Sequence, residues 1–251
     1  MTSRKNPLIT HIKKLQSHPR YRLESGDYLG DGLKLYTEAI QSKAPLHTVV
    51  TCDQTITIPE GVRAVYVPED VMETISPMKT PQGVLFLGTA PSTTPPETLP
   101  KGRYLVLDGV QDAGNVGTLW RTANGLGCDG IFLLEGCAQP WSHKTVRSSM
   151  GACFRLPLYQ STVSEITLLA TQSHLPLYTT ALDPQSRRVD EVDLSSCMVV
   201  LGSEGQGVSQ ELLGSCHQTI YLPMSPGAES LNVAVAGGII LWEMQKKGES
   251  P

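Results

Sequence analysis

The 251-residue sequence predicts an α/β protein whose main sheet is mostly parallel with helices on both faces, preceded by a smaller α/β domain. Three observations predict it. Beyond residue 100, short and wholly apolar segments alternate with helical patterns, as expected of strands buried on both faces. Ala90–Pro100 (APSTTPPETLP) holds four prolines and three threonines and almost nothing apolar, so it reads as a linker. A composition of 40% hydrophobic and 18% charged residues is enough for a full core, and the length allows one large domain or two modest ones.

Ahead of the linker, Pro7–Gln16 and Gly32–Ser42 read as helices, and Leu46–Thr51 and Ala64–Val67 as strands. Pro68–Ile75 reads as a helix opened by a proline with acids in its first turn. Gly83–Leu87 (GVLFL) is a buried strand. After the linker the expected order is strand Tyr104–Leu107, helix Asn115–Leu126, strand Gly130–Leu134, helix Val163–Ser173, then strands Leu177–Ala181 and Met198–Leu201. Helix Ser209–Cys216, strand Ile220–Leu222 and helix Asn232–Lys246 complete it, the last ending in Lys-Lys-Gly as helix ends often do. Ligands on such sheets bind beyond the carboxyl ends of the strands.

Several classes are disfavoured at once. The N-terminus is basic but has no apolar core of signal-peptide length, and no run approaches the roughly 18 apolar residues of a membrane span. A cytoplasmic protein with no membrane partner is therefore expected. The six cysteines and six histidines are scattered without ligand spacing, so buried thiols are expected and no metal site. The net charge of −4 argues against a surface that binds nucleic acid all over. Residues 1–34, however, carry seven Lys/Arg (Arg4, Lys5, Lys13, Lys14, Arg20, Arg22, Lys34) against three acids, whereas residues from 101 onward carry ten basic against fourteen acidic. Contact with a phosphate backbone would use the N-terminal end and a few placed arginines; solubility alone explains the same charge.

Three segments carry the chemistry. In Leu107–Ala123 (LDGVQDAGNVGTLWRTA) a strand runs into a loop with Gly114 and Gly117 and then a helix. Asn115 is a capping residue or a ligand-positioning one, and Arg121 can clamp a phosphate or a carboxylate. In Val199–Gly207 (VVLGSEGQG) an apolar strand ends in three glycines around Ser203 and Glu204, where a ligand can approach the backbone. In Ile220–Glu243 a Pro/Gly loop precedes Ser230-Leu231-Asn232 and an apolar helix; the triplet is an ordinary cap or a polar ligand site. Neither glycine pattern has the G-x-G-x-x-G spacing, which disfavours a nucleotide-dependent oxidoreductase.

In this order and spacing the three segments resemble the SpoU (TrmH-type) branch of the SPOUT superfamily, S-adenosylmethionine-dependent RNA ribose 2′-O-methyltransferases. The matching text is N-x-G-x-x-x-R-x-A at Asn115, Gly117, Arg121 and Ala123, then LGSEGQG at Leu201–Gly207, then LPM…ESLNVAVA at Leu222–Ala236. Thr80–Gly83 (TPQG) and Val146–Pro157 (VRSSMGACFRLP) agree with it. More weakly, the N-terminal part is similar to the ribosomal-protein-like RNA-recognition domain often fused ahead of this fold, with Asp31-Gly32 in place of the usual Glu-Gly.

The resemblance implies a recognition domain at 1–90, a linker at 91–100 and a catalytic domain at 101–251 that ends in a deep trefoil knot and works as a homodimer. It implies S-adenosylmethionine among Gly202, Ser203, Leu222, Met224, Leu231 and Asn232, with Asn115, Ser230 and Asn232 positioning ribose and phosphate. Arg121 would reach the partner's pocket, grip the RNA phosphate and stabilise the developing alkoxide, the proton leaving to phosphate, water or Glu204. The RNA expected is ribosomal rather than transfer RNA, and no metal takes part. A transfer RNA methyltransferase, or a non-catalytic RNA-binding assembly factor that keeps the fold, are the alternatives.

Overall fold

The computed structural model describes residues 6–225, 227 and 230–248. Arg4 and Lys5 of the basic N-terminus and Glu229 of the third motif lie outside them. The chain divides into two units: Met1–Pro91 with Gln139–Arg155, and Ser92–Ala138 with Leu156–Pro251.

In the first unit, α1 (Pro7–Ser17) opens on Asn6, whose side chain accepts the Leu8 N–H at 2.9 Å, with proline at the first helical position. Ile9, Ile12 and Leu15 form its buried face. Then follow α2 (Pro19–Ser25), β1 (Asp27–Asp31), α3 (Leu33–Gln41), β2 (Leu46–Thr51), β3 (Arg63–Tyr66), α4 (Glu69–Ile75) and β4 (Val84–Thr89). The sheet order is β1-β4-β2-β3, with only β2 and β3 parallel. Leu29, Val50, Leu85 and Leu87 meet α1 and α4 in one core.

The first unit also holds a helix at His143–Ser148, α6 in chain order. This stretch falls within residues 101–251 in sequence, while its contacts are with the strands of the first unit. The physical reason is aromatic: Tyr28 of β1 lies 5.1 Å from Trp141 and 5.9 Å from Phe154, and Phe154 lies 6.4 Å from Phe86. Arg155 adds a 2.6 Å ion pair to Glu38, and Arg22 holds the Gln139 side chain through Nε and Nη2.

The second unit contains β5 (Arg103–Asp108), α5 (Ala113–Gly125), β6 (Gly130–Leu133), β7 (Leu158–Gln160), α7 (Val163–Gln172), β8 (Leu177–Thr180), β9 (Arg187–Arg188), β10 (Cys197–Gly202), α8 (Gln210–Ser215), β11 (Gln218–Tyr221) and α9 (Val233–Gly248). Its seven strands run in the order β7-β6-β5-β10-β8-β11-β9, and every pair is parallel. Alternate residues of the strands face opposite ways. Tyr104, Val106, Phe132, Met198 and Val200 pack with α7 and α8. Leu105, Leu107, Val199 and Leu201, equally buried, face the other layer. That layer is α5 against α9, brought close by Gly237: a Cβ there would collide with Leu119 of α5 and come within 2.7 Å of Leu201. Residues 90–100 form no helix or strand, although Leu99 is buried in this unit's core. Among the described residues no helix is long and apolar enough to cross a membrane.

Among the described residues seven elements have no counterpart in the sequence analysis: α2, β1, α6, β7, β9 and the short 3-10 helices Ala152–Phe154 and Val189–Glu191. Each has only two to seven residues, too few for a hydrophobic period to show.

Candidate functional site

Strands β5, β10, β8 and β11 all end at one edge of the second sheet, and the loops leaving them build the site. At the end of β10 the chain folds back on itself. Ser203 and Gly207 exchange two backbone hydrogen bonds of 3.0 Å, and the Ser203 hydroxyl accepts the Gln206 N–H at 3.2 Å. This closed turn holds Glu204 exposed at its tip.

Helix α5 starts beside it. Its cap is Asp112, whose Oδ1 accepts the Asn115 N–H at 2.8 Å, a contact worth about 1 kcal/mol at such a position. Asn115 is thus in the first turn rather than the cap, which corrects the capping alternative and frees its amide. Asn115 Nδ2 donates to Glu204 Oε1 at 2.6 Å, and Asn115 Oδ1 accepts from Asn232 Nδ2 at 3.2 Å. Asn232 also caps α9, its Oδ1 accepting from Ala234 N–H at 2.9 Å and Val235 N–H at 3.3 Å. One line of hydrogen bonds therefore joins the three motifs across 89 and 117 residues of chain.

Beside this line lies a cavity of about 310 Å³. Gly202, Ser203, Glu204, Leu222, Met224, Ser230 and Leu231 line it, with Thr180, Ala181 and Leu182 from the end of β8 and Ala236 and Ile240 from α9. Its walls are mainly aliphatic, with a few hydroxyl and backbone groups, and its size suits a nucleoside-type ligand. Asn115, Arg121 and Asn232 do not line it. The β8 contribution was missed; the one available signal was that β8 ends at the same sheet edge. A second cavity, about 750 Å³, adjoins the first and shares Ser203, Glu204 and Gly207 with it.

Arg121 stands apart. It is exposed on α5 and has no hydrogen bond or ion pair to any described residue. Beneath the β5 loop the Cys137 thiol donates to Leu107 O at 3.2 Å and accepts from Val110 N–H at 3.3 Å. Burial pushes that thiol up to about 11, so it is neutral and unsuited to nucleophilic work. All six cysteines are free, and among the described residues no group of three or more His, Cys, Asp or Glu could hold a metal ion.

A parallel sheet with a cavity and a line of hydrogen-bonded polar side chains at its carboxyl edge has the arrangement of a ligand-binding α/β protein. The comparisons make that specific: the SpoU rRNA Methylase family matches residues 102–242, and an MRM3-like substrate binding domain matches residues 6–85. The chain belongs to the SpoU methylase family, whose activity is S-adenosylmethionine-dependent methylation of RNA. It is 31% identical to the 23S rRNA (guanosine(2553)-2′-O)-methyltransferase of Bacillus subtilis, over 97% of this chain and 98% of that one. It is 32% identical to an uncharacterised tRNA/rRNA methyltransferase of Synechocystis, over 98% and 93%. The crystal structure of an AdoMet-bound rRNA methyltransferase from Sinorhizobium meliloti superposes with a TM-score of 0.88 at 29% identity, covering 98% of this chain and 97% of that one.

Proposed function

We propose that this enzyme methylates the 2′-hydroxyl of one ribose in ribosomal RNA, as a cytoplasmic homodimer. The observation that carries the reading is the hydrogen-bonded line Asn232–Asn115–Glu204, which ends on the cavity wall at Glu204. The names of relatives that act on ribosomal RNA point to the substrate. The recognition domain is residues 1–90, the linker 91–100 and the catalytic part 101–251, of which Gln139–Arg155 packs with the first unit.

The residues present fit S-adenosylmethionine. Leu222, Met224 and Leu231 offer an apolar slot for adenine, Gly202 bare backbone for its ring edge, and Ser230 a hydroxyl for the ribose or carboxylate. When bound there, the cofactor supplies an electrophilic methyl group. The chain must then align a ribose hydroxyl and remove its proton; alignment alone accounts for several kcal/mol of barrier. Asn115, fixed between two partners, holds the Glu204 carboxylate in place, and Glu204 takes the proton. Arg121 cannot act as a base, since a guanidinium stays protonated; it grips the adjoining phosphate and stabilises the developing alkoxide.

The dimer is supported by α9. Val235, Ile239 and Trp242, at i, i+4 and i+7, are 53%, 41% and 52% exposed, an apolar stripe on a helix that packs beside α5. A second copy covers it and brings its Arg121 to the site, while the C-terminal segment is threaded as in the family's knot. Light scattering is expected to give twice 27.2 kDa for the native chain and 27.2 kDa for Trp242→Glu, with loss of methyl transfer. A native monomer that is fully active would remove the dimer from the reading. The activity is tested with radiolabelled methyl donor, mixed rRNA and tRNA from cells lacking the gene, and mapping of the labelled ribose. One labelled position in rRNA is expected. Label confined to tRNA, or none at all, would overturn the proposal.

A further inference from the structure

We propose that the second cavity receives the base of the target nucleotide and selects one bearing an exocyclic amino group, with Glu135 as its reader. This deepens the function proposed above and rests on it. The loops after β5 (Asp108–Gly109, Gln111), after β6 (Glu135–Gly136) and after β10 bound the cavity, and the last of them is also a wall of the cofactor cavity. A ribose hydroxyl that meets the methyl group at this shared wall has its base one glycosidic bond away. With the first cavity occupied by the cofactor, the base enters the second. At about 750 Å³ it is large enough for a base turned out of its stack.

The lining says what it takes. Asp108, Glu135 and Glu204 contribute carboxylates, and no lysine or arginine is among the lining residues. Such a wall repels the phosphodiester, so the strand presents an uncharged edge. Two of the carboxylates already have donors: Ser209 N–H binds Asp108 Oδ2 at 2.7 Å, and Asn115 binds Glu204. Glu135 is exposed and has no hydrogen bond or ion pair to any described residue, and the Ser209 hydroxyl is buried without a partner. A base that displaces water from the Glu135 carboxylate must supply donors in its place, which guanine, adenine and cytosine do through an amino group. Uracil presents one N–H between two carbonyls, which would face the carboxylate.

The test uses the full-length enzyme and an RNA fragment containing the mapped site, made in four versions with guanine, adenine, cytosine or uracil at the target. The native enzyme is expected to act on an amino-bearing base with kcat/KM about 10- to 100-fold above that for uracil. Glu135→Ala should erase the preference mainly through KM, with S-adenosylmethionine affinity by calorimetry unchanged. Glu135→Gln, which keeps an acceptor oxygen, should retain part of it. A uridine target, no preference among the four, or a preference that survives Glu135→Ala would each overturn the assignment. Failure of the underlying function looks different: no RNA is then methylated by the native enzyme, and the base site falls with it.

Discussion

Arg121→Ala is expected to lower kcat by about 10²- to 10³-fold, the loss seen when a donor that stabilises a developing oxyanion is removed. Thermal unfolding and S-adenosylmethionine affinity should stay at their native values. The separation follows from the position: Arg121 is exposed, touches no partner among the described residues and does not line the cofactor cavity. Nothing in the subunit is lost with it. Arg121→Lys keeps the charge but not the planar fork, so a bidentate grip on phosphate predicts that most of the loss remains. Near-native turnover by Arg121→Lys would falsify the clamp. Whether the arginine serves its own site or the partner's is decided by mixing. Arg121→Ala and Glu204→Ala subunits, each inactive alone, are co-expressed. Action across the dimer restores about a quarter of the sites, because half the dimers are mixed and one site in each has both residues. Action within one subunit restores none.

The central parallel strands are legible because both faces are buried and the residues between the strand ends are apolar, as in Met198 to Leu201 against Tyr104 to Leu107. The helix at His143–Ser148 is not, since HKTVRS holds weak helix formers and its stability comes from packing beside β1. Local pattern leaves Asn115 open between a cap and a ligand-positioning residue. An asparagine ahead of an apolar helix resembles a cap, and the actual cap, Asp112, sits three residues earlier. The cavity residues Gly202, Leu222, Met224, Ser230 and Leu231 were found through the family's motifs, and the structure gathers them around one space. What no motif contained was the wall from β8 and the hydrogen-bonded line itself. Thr180 and Leu182 sit in unremarkable text, and a contact between residues 89 or 117 apart exists only once the sheet order is known. The isolation of Arg121 is equally invisible in one dimension.

The three glycines of Gly202-Ser203-Glu204-Gly205-Gln206-Gly207 look alike in the sequence and are expected to behave very differently. Gly202→Ala should weaken S-adenosylmethionine binding at least about 100-fold, close to 3 kcal/mol, and lower the unfolding temperature as well. Its Cβ would fall inside the contact distance of the Gly207 carbonyl and the Val208 nitrogen. Those are backbone atoms and cannot swing aside, so the turn closed by Ser203 and Gly207 must open. Opening it moves Glu204 away from Asn115 and widens the cavity floor. At Gly207 there is space, but the φ of +69° is one that an L side chain adopts at a cost of about 1–2 kcal/mol, so Gly207→Ala should be intermediate. Gly205 has neither constraint: nothing lies within 4 Å of a Cβ there, and its φ is ordinary. Gly205→Ala should bind the cofactor as the native chain does. Calorimetric titration of the three variants gives the ranking, and a Gly202→Ala enzyme with native affinity would mean that the turn after β10 does not form the cofactor wall.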